Sequence, residues 1–199
     1  MIALKIFEVG ILSSPSQLKC LQEIFKTDPY SNNEPSSQNI AKLWRTYSNS
    51  NHYGKYDDAI FKSIIVLSLL SKNIGNIHFN ASLFPYRNIQ HDCAFYSKER
   101  GPILLSINLN IEETYHLEAM KASILKQAYP RSKSFLITMD EREAGVVNKK
   151  IKTGLVLGLD DVIVANHSSF DDLINELQNY TLFEPEPIDV LKSTRFISK

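Results

Sequence analysis

Two short runs, His91–Ser97 and Pro102–Asn110, constrain this chain more than any other feature. The polar tetrapeptide Lys98-Glu99-Arg100-Gly101 separates them, so they read as two strands of a hairpin with glycine late in the turn. In the second run Ile103, Leu105, Ile107 and Leu109 face one way, and Leu104, Ser106, Asn108 and Asn110 face the other. One face of that strand therefore turns from apolar to polar toward its end. Ile77–Leu83 alternates as a third strand just upstream. Before it, Asp57-Asp58 open a helix that runs to about Lys72, with acidic residues where the helix dipole favours them. Ile60, Ile64, Ile65, Leu67 and Leu69 cover so much of its circumference that it is predicted to be largely buried, and Ile74-Gly75-Asn76 stops it.

Downstream, Glu112-Glu113 begin a helix reaching Tyr129-Pro130, with Leu117, Met120, Ile124 and Ala128 as the expected buried stripe. Ser134–Met139 follows as an apolar strand, then a polar helix near Glu141–Thr153, a buried strand Asp161–Ala165 and a helix begun by Ser168-Ser169. The order is helix, three strands, helix, strand, helix, strand, helix. It predicts an α/β fold: a mixed sheet with an antiparallel meander, flanked by crossover helices. Residues 1–54 read as a small helical N-terminal region. One helix there begins at Ser14-Pro15 and uses Leu18, Leu21, Ile24 and Phe25; another is capped by Ser36-Ser37-Gln38 and carries Ile40, Leu43, Trp44 and Tyr47. Residues 55–183 form the expected core, and 184–199 a C-terminal tail whose Glu184-Pro185-Glu186-Pro187 implies an extended segment before a last short element.

Composition narrows the function classes. Of 199 residues 43% are hydrophobic and 22% charged, enough to bury a core, and 22 basic residues balance 22 acidic ones. No global charge draws the chain to nucleic acid, although a local basic groove remains compatible with that balance. Cys20 and Cys93 are too few for a disulfide scaffold or a four-cysteine zinc site. The longest apolar run, Ile64–Leu70, falls well short of the roughly 18–20 residues a membrane span needs. Met1-Ile2-Ala3-Leu4-Lys5 lacks the pattern of a secretory leader, so a soluble cytoplasmic protein with no membrane partner is expected.

No Gly-rich phosphate loop, GxSxG elbow or HExxH motif is present. His52, His78, His91, His116 and His167 lack the close spacing of a metal-binding pair, and each reads more simply as a surface or strand-end residue. What remains is a set around the meander. Asp92 starts one strand, Ser106 and Asn108 lie on the polar side of the next, and Glu118 and Lys121 stand three apart on the following helix. Two carboxylates converging beside a polar strand end suit Mg²⁺, which takes oxygen ligands, and a nearby lysine suits activation of a water for attack at phosphorus. The simpler reading is a commonplace strand-start acid and a solvated Glu–Lys helix pair. Hairpin parity separates the two. If Ser97 pairs with Pro102, Asp92 lies opposite Ile107 and faces away from Ser106; an odd-length connection or a bulge brings it back.

The helix–meander–helix–strand order resembles the core of PD-(D/E)XK nucleases, in which an acid on one strand precedes (D/E)-x-K on the next. Asp92 matches the first acid, and Ser106-Ile107-Asn108 takes the place of (D/E)-x-K with neither its acid nor its lysine. Some restriction endonucleases of this superfamily carry a similarly altered strand, with a downstream Glu-x-x-Lys-Ala helix. Leu117-Glu118-Ala119-Met120-Lys121-Ala122, then Tyr129-Pro130 and Phe135-Leu136-Ile137-Thr138, are similar to that element. The resemblance covers roughly residues 55–140. It implies a Mg²⁺-dependent endonuclease on double-stranded DNA, of restriction type or a subunit of such an enzyme, acting as a homo- or heterodimer. Asp92 and Glu118 would bind metal, Lys121 would be the catalytic lysine, and Ser106 and Asn108 would line the site. A non-catalytic nuclease-like module that binds DNA or protein is the alternative. For DNA contact, Arg142, Lys149, Lys150 and Lys152 form the densest basic cluster, with Lys126, Arg131 and Lys133 nearby. Lys42, Trp44, Arg45 and Tyr47 offer a second surface, although core packing suits Trp44 better.

Overall fold

A computed structural model of the chain describes Ile6, residues 10–186 and the backbone of residues 190–196. The opening pentapeptide and parts of the expected tail, 187–189 and 197–199, lie outside the described residues. In chain order the elements are α1 (Pro15–Thr27), α2 (Ser36–Ser48), α3 (Asp57–Ser71), β1 (Ile77–Leu83), β2 (Gln90–Ser97), β3 (Gly101–Ile107), α4 (Ile111–Ala128), β4 (Lys133–Thr138), α5 (Glu141–Lys152), β5 (Asp161–Val164), α6 (Ser168–Gln178) and β6 (Val190–Phe196). The fold is α/β, and its mixed sheet has the strand order β5-β4-β3-β2-β1-β6. β1, β2 and β3 are the expected antiparallel meander. β4 and β5 continue it in parallel. β6 closes the far edge antiparallel to β1, so much of the tail is a sheet strand.

The alternation of the strands sorts the core into two layers. Phe79, Cys93, Phe95, Ile103, Leu105, Ile107, Phe135, Ile137 and Ile163 face α1, α2, α3 and α6 in one continuous hydrophobic cluster. Leu136, Val162 and Val164 face α4 and α5 on the other side, and Ala81, Ala94, Tyr96 and Leu104 meet Leu125 there. Helix α3 is buried on nearly all sides, as its sequence requires; Ser63 and Ser68 satisfy their buried hydroxyls on the carbonyls of Ala59 and Ile64. Helices α1 and α2 join the same cluster through Cys20, Leu21, Ile24, Ile40, Leu43 and Tyr47. Trp44 packs against it, its ring 5.6 Å from Phe61 and 5.2 Å from Tyr47. Lys42 is tied to Asp28 at 3.1 Å.

Helix α4 departs from the expectation set by its spacing. Its inner stripe is Ile111, Tyr115, Glu118, Ala119, Ala122 and Leu125. Leu117 and Met120, expected inside, are 48% and 54% exposed. The sheet-facing stripe has Ala119 and Ala122 at its centre, and the loop before β5 presses onto that helix. A Cβ on Gly158, at φ +91°, would lie 2.4 Å from the Ser123 amide nitrogen and 2.5 Å from the Ala119 carbonyl. The rotation carries Glu118 from the flank of the stripe into it. Among the described residues no helix is long and apolar enough to cross a membrane.

Candidate active site

The hairpin between β2 and β3 decides whether the polar residues meet. Ser97 pairs with Gly101, Tyr96 with Pro102 and Cys93 with Leu105. The connection is therefore three residues, Lys98 to Arg100, and Gly101 leaves it at φ +75°. This odd-length register puts position 92 level with position 106, and the Asp92 side chain itself reaches the Ile107 N–H and Lys62 of α3, the helix on the opposite layer. On the other side of β2, the pairs Phe79–Cys93 and Ala81–His91 set Asn80 across from Asp92. Asn80, Asp92 and Ser106 thus stand at neighbouring positions of three adjacent strands, which also carry the buried polar residues His78, Ser82, His91 and Ser97. Asn80 adopts φ +49°, a left-handed conformation that asparagine tolerates better than most residues.

Each acid is held from two directions. The Asp92 carboxylate accepts the Ile107 backbone N–H on Oδ2 at 2.8 Å and the Lys62 ammonium on Oδ1 at 2.7 Å. Glu118, only 7% exposed, accepts the Ser106 hydroxyl on Oε2 at 2.5 Å and the Lys121 ammonium on Oε1 at 2.8 Å. A buried carboxylate is tolerated only with such charge-assisted partners. Lys62, Asn80, His91, Asp92, Asn108, Glu118 and Lys121 line one cavity of about 310 Å³, with Gln90, Thr114 and Leu117 at its wall. Asn108 follows β3 directly and is anchored by its N–H to the Ile137 carbonyl at 3.0 Å. Ser106 does not line this cavity; its hydroxyl holds Glu118.

His91 is almost fully buried, and burial, aided by the Lys121 charge and opposed by Asp92, lowers its pKa to about 4. It is a neutral imidazole at physiological pH. Two carboxylates and two ammonium groups then leave the cavity without net charge. Burial raises the Cys93 thiol well above its usual range, so it is an inert neighbour.

The lining brings together oxygen-bearing side chains, with all four carboxylate oxygens of Asp92 and Glu118 engaged by protein donors. Asp92, Glu118 and the Asn108 carboxamide supply oxygen, and Mg²⁺ commonly takes one or two carboxylates with waters filling its shell. Among the described residues no group of three or more His, Cys, Asp or Glu side chains is gathered for a metal ion.

Of the residues singled out in the sequence, Asp92, Asn108, Glu118 and Lys121 line the cavity and Ser106 supports it. Arg142, Lys149, Lys150 and Lys152 do not line it. They belong to α5, where Lys150 donates to the Tyr115 hydroxyl at 2.7 Å and lies 4.8 Å above its ring. Arg142 is exposed beside Glu143. Lys126 and Lys133 are both paired with Asp160, at 2.8 Å and 3.1 Å. Lys62 and Asn80 join the cavity without having been singled out by the sequence, and His91, read there as a surface or strand-end residue, is buried in its wall. Lys62 does leave a signal there, as the single cation inside the apolar run of α3. The conformation of Asn80 leaves none. Comparison with known protein families, with curated proteins and with solved structures finds no match to this chain.

Proposed function

We propose that the chain is a Mg²⁺-dependent DNA endonuclease that hydrolyses phosphodiester bonds in double-stranded DNA, a restriction-type enzyme or one subunit of a homo- or heterodimeric one. The observation that carries this reading is the convergence of Asp92, Glu118 and Lys121, from a strand and a helix, on one cavity at the polar end of β3. The order α3, β1–β3, α4, β4, with β4 parallel to β3, supports a restriction-endonuclease-like core.

In this reading Asp92 and Glu118 would hold the metal, which when bound would supply positive charge for the phosphoryl oxygens and lower the pKa of water. The chain's own residues do the rest. The Ile107 N–H fixes one Asp92 oxygen, and Ser106 fixes one Glu118 oxygen, so both acids are aimed before substrate arrives. Lys121, steadied by Glu118, orients the attacking water in line with the leaving oxygen. Asn108 offers its carboxamide N–H to a non-bridging phosphate oxygen. Neutral His91 helps exclude bulk water without adding charge.

The test is cleavage of supercoiled plasmid with Mg²⁺ or with EDTA, by the wild type and by Asp92→Asn, Glu118→Gln and Lys121→Met. Metal-dependent nicking or linearisation that disappears in all three supports the reading. The second reading, a catalytically silent nuclease-like module, draws on Asn108 standing where the lysine would be and on both acids being already neutralised. A folded protein that shifts DNA without cutting it under any divalent ion favours that module.

A further inference from the structure

The Lys62–Asp92 pair stands between two cavities. Both residues, with Asn80, line the 310 Å³ site and also a smaller one of about 120 Å³ walled by Val66, Phe79, Cys93 and Ile107. Lys62 comes from α3, thirty residues from Asp92, and its side chain is 32% exposed, so it has room to move. Its ammonium occupies the Asp92 oxygen that the Ile107 N–H leaves free. A divalent ion approaching Asp92 therefore meets a cation already in place, in a cavity whose charges cancel. Once such an ion is bound, two positive charges are uncompensated, and an anion at the same site relieves them.

From this we infer that Lys62 is a second phosphate-binding residue of the site, parked on Asp92 in the free protein and transferred to a phosphodiester oxygen when a divalent cation takes its place. The inference rests on the nuclease reading and deepens it. It makes cation and phosphodiester bind cooperatively, each raising the affinity for the other by the same factor. Lys121 cannot fill this role equally, since its partner Glu118 is buried and also held by Ser106. Lys62 and Asp92 are both partly open to solvent.

The experiment is calorimetric titration of Mn²⁺ into the full chain as wild type, Lys62→Met and Asp92→Asn, with thermal melts confirming that each is folded. Binding of a 20-bp phosphorothioate duplex with and without Mn²⁺ is then followed by fluorescence anisotropy. Removing the competing charge at this range makes Mn²⁺ binding to Lys62→Met tighter by at least about ten-fold. The same variant loses most of the Mn²⁺-induced gain in duplex affinity that the wild type shows. Equal or weaker Mn²⁺ binding by Lys62→Met, or a gain in duplex affinity as large as in the wild type, overturns the inference. If Asp92→Asn abolishes a wild-type Mn²⁺ signal while Lys62→Met changes nothing, the metal site stands and only the role of Lys62 falls. No Asp92-dependent Mn²⁺ binding in any protein overturns both.

Discussion

The Ser106 hydroxyl donates to Glu118 Oε2 at 2.5 Å, joining the polar end of β3 to the second turn of α4. Through that bond the strand acquires a carboxylate that its own sequence lacks. Ser106 is 6% exposed and Glu118 7%, so the bond is sheltered from water and leaves Lys121 as the other partner of the acid. Ser106→Ala removes one hydrogen bond to a buried charge and is expected to cost about 1–3 kcal/mol of stability. Because Lys121 and the helix still aim the carboxylate, cleavage should fall far less than in Glu118→Gln. Urea unfolding alongside plasmid cleavage checks both parts; a Ser106→Ala defect as deep as that of Glu118→Gln would assign the serine a direct role.

His91 gives the site a pH signature of its own. Burial holds its pKa near 4 in the folded chain, with Lys121 adding to the shift and Asp92 opposing it, against about 6.5 unfolded. Between those values the unfolded chain takes up a proton that the folded chain refuses, so stability falls as the pH drops from about 6.5 to about 4. Above about pH 7 this residue contributes no slope. The span corresponds to roughly 3 kcal/mol. Denaturant midpoints measured in EDTA across pH 4.5–7.5 should show that decline in the wild type and a shallower one in His91→Gln. Parallel slopes in the two proteins would rule the histidine out as its source.

The fold is legible wherever one period dominates. The burial of α3, the three strands of the meander and the parallel strands β4 and β5 follow from apolar alternation and helix spacing, although β3 ends at Ile107, three residues short of the Asn110 its alternation suggests. Helix α4 misleads because Leu117 and Met120 fit the same spacing as the true stripe, and only the sheet chooses which stripe turns inward. Glu118 at an inner position looks wrong until Ser106 and Lys121 are placed around it. Asp92 and Ser106 need the hairpin register, which rests on whether Ser97 pairs with Gly101 or with Pro102. Lys62 reaches the site through tertiary packing alone: no local spacing relates it to a strand thirty residues on.

The N-terminal helices are held to the rest by more than their apolar faces. Asp171 on α6 accepts the Ser37 N–H on Oδ1 at 3.2 Å and the Ser37 hydroxyl on Oδ2 at 2.5 Å. Ser37 lies in the first turn of α2, whose own N-cap is Pro35 and supplies no side-chain bond. A carboxylate from a distant helix therefore caps this one, and its charge suits the helix N-terminus. Asp171→Ala should cost about 1–2 kcal/mol by denaturant unfolding. Adding Ser37→Ala to that variant should cost much less than Ser37→Ala does in the wild type. Strict additivity in this cycle would show that the two residues do not act as one cap.

Helix α5 offers the last test, of whether its basic residues touch DNA. Lys150 is committed to Tyr115, by a 2.7 Å hydrogen bond and a ring contact at 4.8 Å, whereas Lys149 and Lys152 are exposed on the helix's final turn. These two, with Arg142, are the groups available to phosphates. If they bind phosphates, Lys149→Ala with Lys152→Ala weakens binding to all duplexes alike. The slope of log affinity against log salt then falls by about 0.9 for each phosphate that is no longer neutralised. Lys150→Met should act on stability instead, by about 0.5–1 kcal/mol through removal of the cation–π pair, and leave that slope unchanged. Anisotropy titrations of a short duplex between 50 and 200 mM salt, roughly the range over which such slopes are read, separate the two effects. An unchanged slope in the Lys149/Lys152 double variant would exclude both lysines from phosphate contact and leave Arg142 as the one group of this set still to be tested.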